Sequence, residues 1–340
     1  MAEFDAPLGG IEAVLSRASY PVAHMLAQAL EDKDLGVEAI ATLFSVQGLD
    51  LILLQMVADE LRHRQVGDTV TYVVNRNINF TNVCIKRCGF CAFSRSFREE
   101  EGYFLPMEEV VRRSQEAVAL GATEICAQAG LSPKLPGDYY IRLTETIKAA
   151  FPDLHLHGFS PEEVLYGSVR SRRSVREYLE ALKEAGVGSL PGTSAEILVQ
   201  SVRDTIAPGR ITADQWETVI RTAHEVGIPT TATIMYGHVE TATERALHLD
   251  RIRAIQKDTG GFTEFVPLSF VHTEAPMWLK STVPGTRPGP TGNDVLRMYA
   301  ISRIVDSPTV SKISTTWSAA SKTRRIWYRV LRSAACRPAS

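Results

Sequence analysis

The chain has 340 residues, with 37 Lys and Arg against 39 Asp and Glu, a net charge of -2 and 44% hydrophobic residues. This balance gives no reason to expect binding to nucleic acid or to a membrane surface. No apolar run approaches the roughly 20 residues that a membrane-spanning helix requires, and residues 1–10 lack the basic and apolar regions of a signal peptide. We therefore expect a cytoplasmic protein with one large domain or two ordinary ones.

Helical periodicity dominates the N-terminal part of the chain. Apolar residues recur at helical spacing from residue 11 to about residue 64, as in the series Leu49, Ile52, Leu53 and Met56. The pattern predicts helices that pack outside the main core, in a helical extension over residues 1–68.

A strand pattern follows the turn at residues 67–68. Residues 70–82 alternate with a period of two, which places Asn75, Asn77 and Asn79 on one face of the predicted strand. These asparagines either bond to their own backbone at a turn or edge, or line a polar pocket that leads to the residues after them. The sequence alone leaves both interpretations open.

Three cysteines, Cys84, Cys88 and Cys91, follow that strand within a single loop. Their spacing allows the thiols to converge on one metal centre, and no fourth cysteine is close enough in sequence to complete a tetrahedral zinc site. A set of three thiolates leaves one metal position open to a ligand that is not protein. An open position indicates a metal site that takes part in a reaction. Five cysteines of this arrangement do not form a disulfide framework. A non-catalytic zinc or iron–sulfur protein, in which Cys126 or a histidine closes the site, is the alternative.

Helix and strand patterns alternate after the cysteines. Helices are predicted over 107–120, 137–150, 175–185, 212–226 and 243–257, and strands over 123–127, 154–159, 187–190, 230–235 and 264–268. This alternation indicates a parallel sheet, and the number of units favours a full or partial barrel.

Polar residues follow several of these strands. Ligands of such barrels bind at the C-terminal strand ends, so we expect at least half of the segments 128–130, 160–163, 191–196 and 236–240 to face one cavity. His157 shares a strand face with His155, and the two either point inward or are satisfied core histidines.

The spacing Cys84-x3-Cys88-x2-Cys91, with Phe90 before the last cysteine, resembles the signature of the radical S-adenosylmethionine (SAM) superfamily. The resemblance implies that the cysteines bind three irons of a 4Fe-4S cluster, while SAM chelates the fourth iron through its amino and carboxyl groups. It also implies a radical SAM (β/α) barrel of the TIM-barrel type over residues 69–317. The cofactors would supply a 5′-deoxyadenosyl radical that abstracts a hydrogen atom.

Four further stretches, 75–82, 190–198, 230–241 and 260–272, resemble the family of 5-amino-6-(D-ribitylamino)uracil:L-tyrosine 4-hydroxyphenyl transferases of deazaflavin (coenzyme F0) biosynthesis. The resemblance implies two substrates, L-tyrosine and 5-amino-6-(D-ribitylamino)uracil, an electron donor, and a partner with the second deazaflavin synthase activity. Dehypoxanthine futalosine cyclases of menaquinone biosynthesis share the asparagine stretch and the motif at residues 237–240, and they are the alternative.

The resemblance also suggests individual roles. Residues 128–130 would receive the methionine amino group, although Ala129 stands where a glycine is expected, and arginine suits bidentate recognition of a carboxylate. The residues expected to contact the cofactors are Phe90, Gln128, Gly130, Glu196 and Arg203. The residues expected to face the substrates are Tyr236 and His238, as catalytic groups, and Asn75, Asn77, Asn79 and His157, as binding groups.

Residues 318–340 do not fit the resemblance, because the family would continue with elements that close the barrel. This segment has six basic residues and no acidic one. It is interpreted either as a native basic tail or as the product of a reading-frame shift near codon 317, and the second interpretation is favoured.

Overall fold

The computed structural model describes residues 10–96 and 101–306. In these residues the strands are β1 (Asn75–Ile78), β2 (Glu124–Ala127), β3 (His155–His157), β4 (Thr230–Tyr236) and β5 (Phe262–Ser269). The helices α1 to α13 span, in chain order, Gly10–Leu15, Tyr20–Leu30, Val37–Leu43, Gly48–Val66, Met107–Ala119, Tyr139–Ala150, Pro161–Ser171, Val175–Ala185, Gln200–Ile206, Ala213–Glu225, Ala242–Thr259, Pro276–Leu279 and Gly292–Asp306, and a 3-10 helix spans His272–Glu274.

The strands form one curved wall in chain order. β1, β2 and β3 pair in parallel, and so do β4 and β5. Parallel bridges from His157 to Ser189 and from Leu190 to Thr230 join the two groups, so residues 189–190 stand where a strand was predicted. The topology confirms the predicted α/β barrel architecture over the described residues.

Local sequence motifs determine where four of the helices begin. Capping boxes, in which a hydroxyl and a carboxylate or amide satisfy two free backbone N–H groups, open four helices. They pair Ser160 with Glu163 in α7, Ser174 with Glu177 in α8, Thr212 with Gln215 in α10, and Thr241 with Glu244 in α11. The last residues of the preceding loops are thereby held in place.

The first predicted strand is shorter than expected. β1 begins at Asn75, and the alternating residues Val70 and Tyr72 before it are 86% and 89% exposed. A period of two creates a strand only where a neighbouring strand accepts its hydrogen bonds, and the last such bond runs from Thr123 N to Val74 O. The prediction of a strand from residue 70 is therefore wrong over residues 70–74.

The N-terminal helices pack on barrel helices, and their buried side chains belong to the same hydrophobic core, so the prediction that they lie outside the main core is not confirmed. α4 packs on α13 and α3 packs on α11, and the apolar face of α4 buries Leu53, Leu54 and Val57. Over the described ranges no single helix is long and apolar enough to cross a membrane, whereas α3 and α4 pass that test as a pair bent by 117°. Residue 317 and the basic segment 318–340 lie outside the described residues, and the domain boundaries at residues 68 and 317 stay predictions.

Candidate active site

A cavity of about 220 Å³ lies at the C-terminal ends of β1, β2 and β3. Three of the four strand-end segments reach it, namely 128–130, 160–163 and 191–196, so the expectation that at least half would share one cavity is confirmed. Its lining includes Asn79, Cys84, Lys86, Cys88, Phe90, Cys91, Gln128, Gly130, Glu162, Glu163, Thr193, Ser194, Glu196 and Arg210.

The cysteine loop is held by its own backbone. Cys84 N donates to Arg95 O at 3.0 Å, and Gly89 N donates to Ile206 O at 2.7 Å. Met277 N in turn donates to Gly89 O at 2.7 Å. A side chain at position 89 would place its Cβ 3.0 Å from Met277 Cβ and 3.2 Å from Ile206 O, so the close approach favours glycine. These contacts bring all three thiols to the same wall of the cavity.

The donor set fits an iron–sulfur cluster better than a single ion. Within the described residues, no three side chains of His, Cys, Asp or Glu converge on a single-ion site. A 4Fe-4S cluster binds each cysteine to a different iron, so its ligands need not meet at one point, and soft thiolates are its usual donors. The alternative in which Cys126 or a histidine closes a zinc site has no support from this geometry.

Arg210 is the main positive charge of the cavity, and the sequence did not single it out. Its Nε lies 2.6 Å from Glu162 Oε2, and its Nη1 lies 3.0 Å from Glu196 Oε1 and 3.6 Å from Cys88 Sγ. Burial alone would raise the pKa of Glu162, but the charge and hydrogen bond of Arg210 hold that pKa below its usual value. Burial raises the pKa of the Cys88 thiol to about 12, and Arg210 is the group that opposes this rise most.

Arg203 does not line the cavity. Its side chain is 4% exposed, and its guanidinium donates to the carbonyl oxygens of Ser194, Ala195 and Ile211. Arg203 lies on the inward face of α9 and ties together the loops on either side of that helix. The expectation that it holds a carboxylate of SAM is corrected by this placement, because Arg210 in the following loop reaches the cavity and Arg203 does not.

The segment 128–130 lines the cavity and is bonded on both sides to neighbouring segments. The side chain of Gln128 accepts from Thr193 Oγ1 at 2.6 Å and donates to Cys126 Sγ at 3.2 Å. A Cβ on Gly130 would lie 2.4 Å from Val83 O, so no other residue fits without moving the cysteine loop. Glu163 accepts from Ala129 N at 3.0 Å, and burial raises the pKa of Glu163 to about 7.

The three asparagines are not equivalent. Asn79 lines the cavity and donates to Gln128 O at 2.7 Å. Asn77 donates to Asn79 Oδ1 at 3.0 Å, and Asn75 donates to Glu124 Oε1 at 3.1 Å. Their side chains therefore bond to neighbouring chain segments and to each other, and one of the three reaches the cavity.

Tyr236 and His238 lie away from the cavity, contrary to expectation. Tyr236 is fully buried on the helix-facing side of β4, where Arg245 of α11 lies 5.6 Å from its ring centre. His238 is also fully buried, and its ring nitrogens bond to Met235 O at 3.0 Å and to Val239 N at 2.8 Å. Burial lowers the pKa of His238, so the ring is a neutral structural group that holds the β4–α11 loop.

His157 and Phe90 occupy two different levels of the barrel. Phe90 lines the cavity, and the guanidinium of Arg210 lies 5.9 Å from its ring centre. His157 pairs in register with Cys126 on β2, and its Nδ1 lies 2.7 Å from Ser189 Oγ. His157 therefore faces the barrel lumen beneath the cavity.

Comparisons with known proteins agree with this geometry. The sequence matches the family model of the Radical SAM superfamily over residues 78–252. The 5-amino-6-(D-ribitylamino)uracil–L-tyrosine 4-hydroxyphenyl transferase of Methanothermobacter thermautotrophicus is 45% identical over 292 residues, which cover 86% of this chain and 79% of that protein. An FO synthase of Streptomyces avermitilis is 42% identical over 93% of this chain and 37% of its own length. The hydrogenase maturase HydG of Carboxydothermus hydrogenoformans has a similar fold, with a TM-score of 0.68 at 14% identity over 95% of this chain and 80% of that one.

Proposed function

Because this chain belongs to the radical SAM superfamily and, within it, to the family of 5-amino-6-(D-ribitylamino)uracil–L-tyrosine 4-hydroxyphenyl transferases, we propose that it performs that transfer. It cleaves L-tyrosine and joins the 4-hydroxybenzyl group to C5 of 5-amino-6-(D-ribitylamino)uracil. The products are 5-amino-5-(4-hydroxybenzyl)-6-(D-ribitylimino)-5,6-dihydrouracil, 2-iminoacetate, 5′-deoxyadenosine and methionine.

The observation that carries the proposal is the convergence of three thiols of one loop on a cavity that also holds a polar backbone segment and an arginine. Cys84, Cys88 and Cys91 would hold three irons of a 4Fe-4S cluster. When bound, the cluster and SAM supply a 5′-deoxyadenosyl radical that abstracts a hydrogen atom from tyrosine.

The remaining cavity residues would bind and orient SAM. The segment 128–130 would receive the methionine amino group, and Glu196 offers a carboxylate to the ribose hydroxyls. Arg210 offers the planar donors that suit a carboxylate, in the role that the sequence assigned to Arg203. Phe90 lines the cavity, and its ring would exclude water from the wall that it covers.

Residues of the lumen beneath the cavity would bind the two substrates. Asn79 is part of the cavity wall, and His157 lies one register level below it, at the level of Asn77. Amide and imidazole groups can both donate to and accept from a uracil ring and ribityl hydroxyls.

Two protein partners are part of the proposal. A one-electron donor is required to reduce the cluster. The chain matches 37% of the length of an FO synthase. This favours cooperation with a protein or domain that carries the second deazaflavin synthase activity. We place the reaction in the cytoplasm, where reducing conditions keep free thiols available to iron.

Anaerobic reconstitution followed by product analysis tests the function. Purified protein with about four irons per chain, reductant and SAM should convert tyrosine and ribityl-diaminouracil into the 4-hydroxybenzyl adduct, detected by mass spectrometry. Dehypoxanthine futalosine, supplied in a parallel reaction, should remain unchanged. Colourless protein with one zinc, or turnover of dehypoxanthine futalosine without the adduct, contradicts the proposal.

A further inference from the structure

Two histidines share one serine hydroxyl in the barrel lumen. His155 Nε2 lies 2.8 Å and His157 Nδ1 lies 2.7 Å from Ser189 Oγ. Glu124 Oε2 lies 3.9 Å from His155 Nε2. None of these four side chains lines the cysteine cavity, so they form a separate cluster of titratable groups.

The cluster lies directly below the cavity. His157 is in register with Cys126, and Gln128, two residues further along β2, reaches the cavity. A strand rises by about 3.3 Å per residue, so His157 lies about 7 Å from the level of Gln128 along the barrel. Among the described residues the hydrogen bond of the His157 ring is made by Nδ1, so Nε2 is the atom that can meet a molecule extending down from the cavity.

The backbone is shaped to hold this cluster. A Cβ on Gly188 would lie 2.4 Å from Cε1 of His155, so the imidazole occupies space that only glycine leaves free. Gly158 N donates to Ser189 O at 3.0 Å, and the bridge between His157 and Ser189 fixes the hydroxyl beside β3. The contact between the three side chains is therefore built into the sheet.

The hydrogen bonds of Ser189 allow a proton to pass from His157 to His155. A serine hydroxyl has one proton, so it donates to one imidazole and accepts from the other. With His157 Nδ1 as donor and His155 Nε2 as acceptor, a proton that reaches His157 Nε2 displaces the Nδ1 proton to Ser189, and the Ser189 proton to His155. Burial lowers the pKa of His157 to about 4, so positive charge does not rest there. The side chain of His155 is 42% exposed and lies beside Glu124, where the charge can be balanced.

The product of the transfer requires the loss of one proton. After the 4-hydroxybenzyl radical bonds to C5 of the uracil, the unpaired electron lies at C6. A one-electron acceptor must then take that electron, a role that a bound iron–sulfur cluster would fill, and C6 with the exocyclic N6 becomes an iminium group. The N6–H bond then breaks, its electron pair stays on N6, and the proton needs an acceptor to give the neutral ribitylimino product.

We propose that His157 is this acceptor and that Ser189 and His155 carry the proton away toward Glu124. The inference rests on the proposed function and adds a catalytic base to it. His157 touches the reacting N–H group, whereas Ser189 and His155 act through His157.

The test compares three products in the same anaerobic reaction: 5′-deoxyadenosine, glyoxylate formed by hydrolysis of 2-iminoacetate, and the adduct. In His157→Gln, tyrosine cleavage should continue while the adduct falls by about a hundredfold, because a positioned base contributes roughly 10²–10⁴ to a rate. Ser189→Ala and His155→Gln should lower the ratio of adduct to glyoxylate less, and Ser189→Thr, which keeps the hydroxyl, should restore it. His63→Gln, on an exposed helix end, is the matched control and should leave the ratio unchanged.

Binding of ribityl-diaminouracil to the holoenzyme separates the base from a structural or binding role. Glutamine keeps a donor and an acceptor at position 157, so in His157→Gln the dissociation constant should rise by much less than the roughly hundredfold fall in the adduct. A parallel fall of all three products, or weaker binding with an unchanged product ratio, overturns the inference. A wild-type enzyme that cleaves no tyrosine contradicts the proposed function itself, and the inference falls with it.

Discussion

The guanidinium of Arg210 lies 3.6 Å from the sulfur of Cys88 and joins Glu162, in the first turn of α7, to Glu196, in the loop before α9. One side chain therefore balances two buried carboxylates and faces the thiol that is buried most deeply among the three. Its position explains how a cavity lined by three glutamates can still accept a negatively charged set of sulfurs.

Replacement of Arg210 by glutamine should make the cluster harder to reduce. Reduction adds negative charge, and loss of the nearby cation disfavours it, so the midpoint potential should become more negative. The free energy of unfolding should also fall, by about 1–3 kcal/mol, because Glu162 and Glu196 lose their shortest ion pairs. Glu162 keeps Lys86 at 3.2 Å, and Glu196 keeps Arg203 at 3.7 Å. A redox titration followed by electron paramagnetic resonance, together with urea unfolding, measures both effects. Arg203→Gln should destabilise the protein without moving the potential, and equal shifts in the two variants would count against the role of Arg210.

Each cysteine of the loop should be required for iron, whereas Cys126 should not. Cys84→Ser, Cys88→Ser and Cys91→Ser should each lose most of the bound iron and the brown absorbance, because a missing thiolate leaves one iron without a protein ligand. Cys126→Ser should keep about the wild-type iron content, because Cys126 does not line the cavity and its sulfur accepts a hydrogen bond from Gln128. Loss of iron from Cys126→Ser would show that the fourth thiol is a ligand.

A single methyl group at position 130 should disturb the site. In Gly130→Ala the new Cβ meets Val83 O at 2.4 Å, so the cysteine loop or segment 128–130 must move. Such overpacking costs about 1–3 kcal/mol, and SAM binding should weaken by at least about tenfold, a loss of about 1.4 kcal/mol. Gly292→Ala, whose Cβ meets nothing within 4 Å, is the matched control. Equilibrium dialysis with SAM distinguishes the two variants, and equal affinities would refute the close-approach argument.

Stability should fall on acidification below about pH 6.5. Burial, with a smaller contribution from Arg203, lowers the pKa of His248 to about 3, while the unfolded chain titrates near 6.5. The unfolded state thus binds more protons between these values, and the stabilising contribution, fully present above pH 6.5, is lost as pH falls toward 3. In urea unfolding at pH 7, 6 and 5, this residue should lower the free energy of unfolding by up to about 1.4 kcal/mol per pH unit. His248→Phe should be less stable at pH 7 but should show a shallower slope, and an unchanged slope would contradict the assignment.

Much of the fold follows from local sequence patterns. The alternation after residue 107 predicted the parallel wall, and helices α8 and α10 begin where their capping residues place them. α7 was not predicted, although Ser160 and Glu163 have the spacing of a capping box. The strand at residues 187–190 reduces to isolated bridges, since strand pairing depends on neighbours that a local pattern does not specify.

The candidate site was predictable at the level of loops but not of side-chain direction. The cysteine spacing and the strand-end segments indicated one cavity. Tyr236 was assigned to it although it lies on the helix-facing side of β4, because a strand buried on both faces shows no alternation that reveals its phase. Arg203 and Arg210 differ by seven residues, and the choice between them depends on where α9 ends, which composition does not determine.

Backbone hydrogen bonds from distant parts of the chain shape the cysteine loop. Gly89 exchanges hydrogen bonds with Ile206 and Met277, which are distant in sequence, so the loop acquires its shape only when the C-terminal half of the described chain has folded. In small zinc modules the metal organises an otherwise unfolded peptide. Here contacts with distant parts of the chain shape the loop, so we expect the metal-free protein to keep its fold and to accept iron and sulfide afterwards.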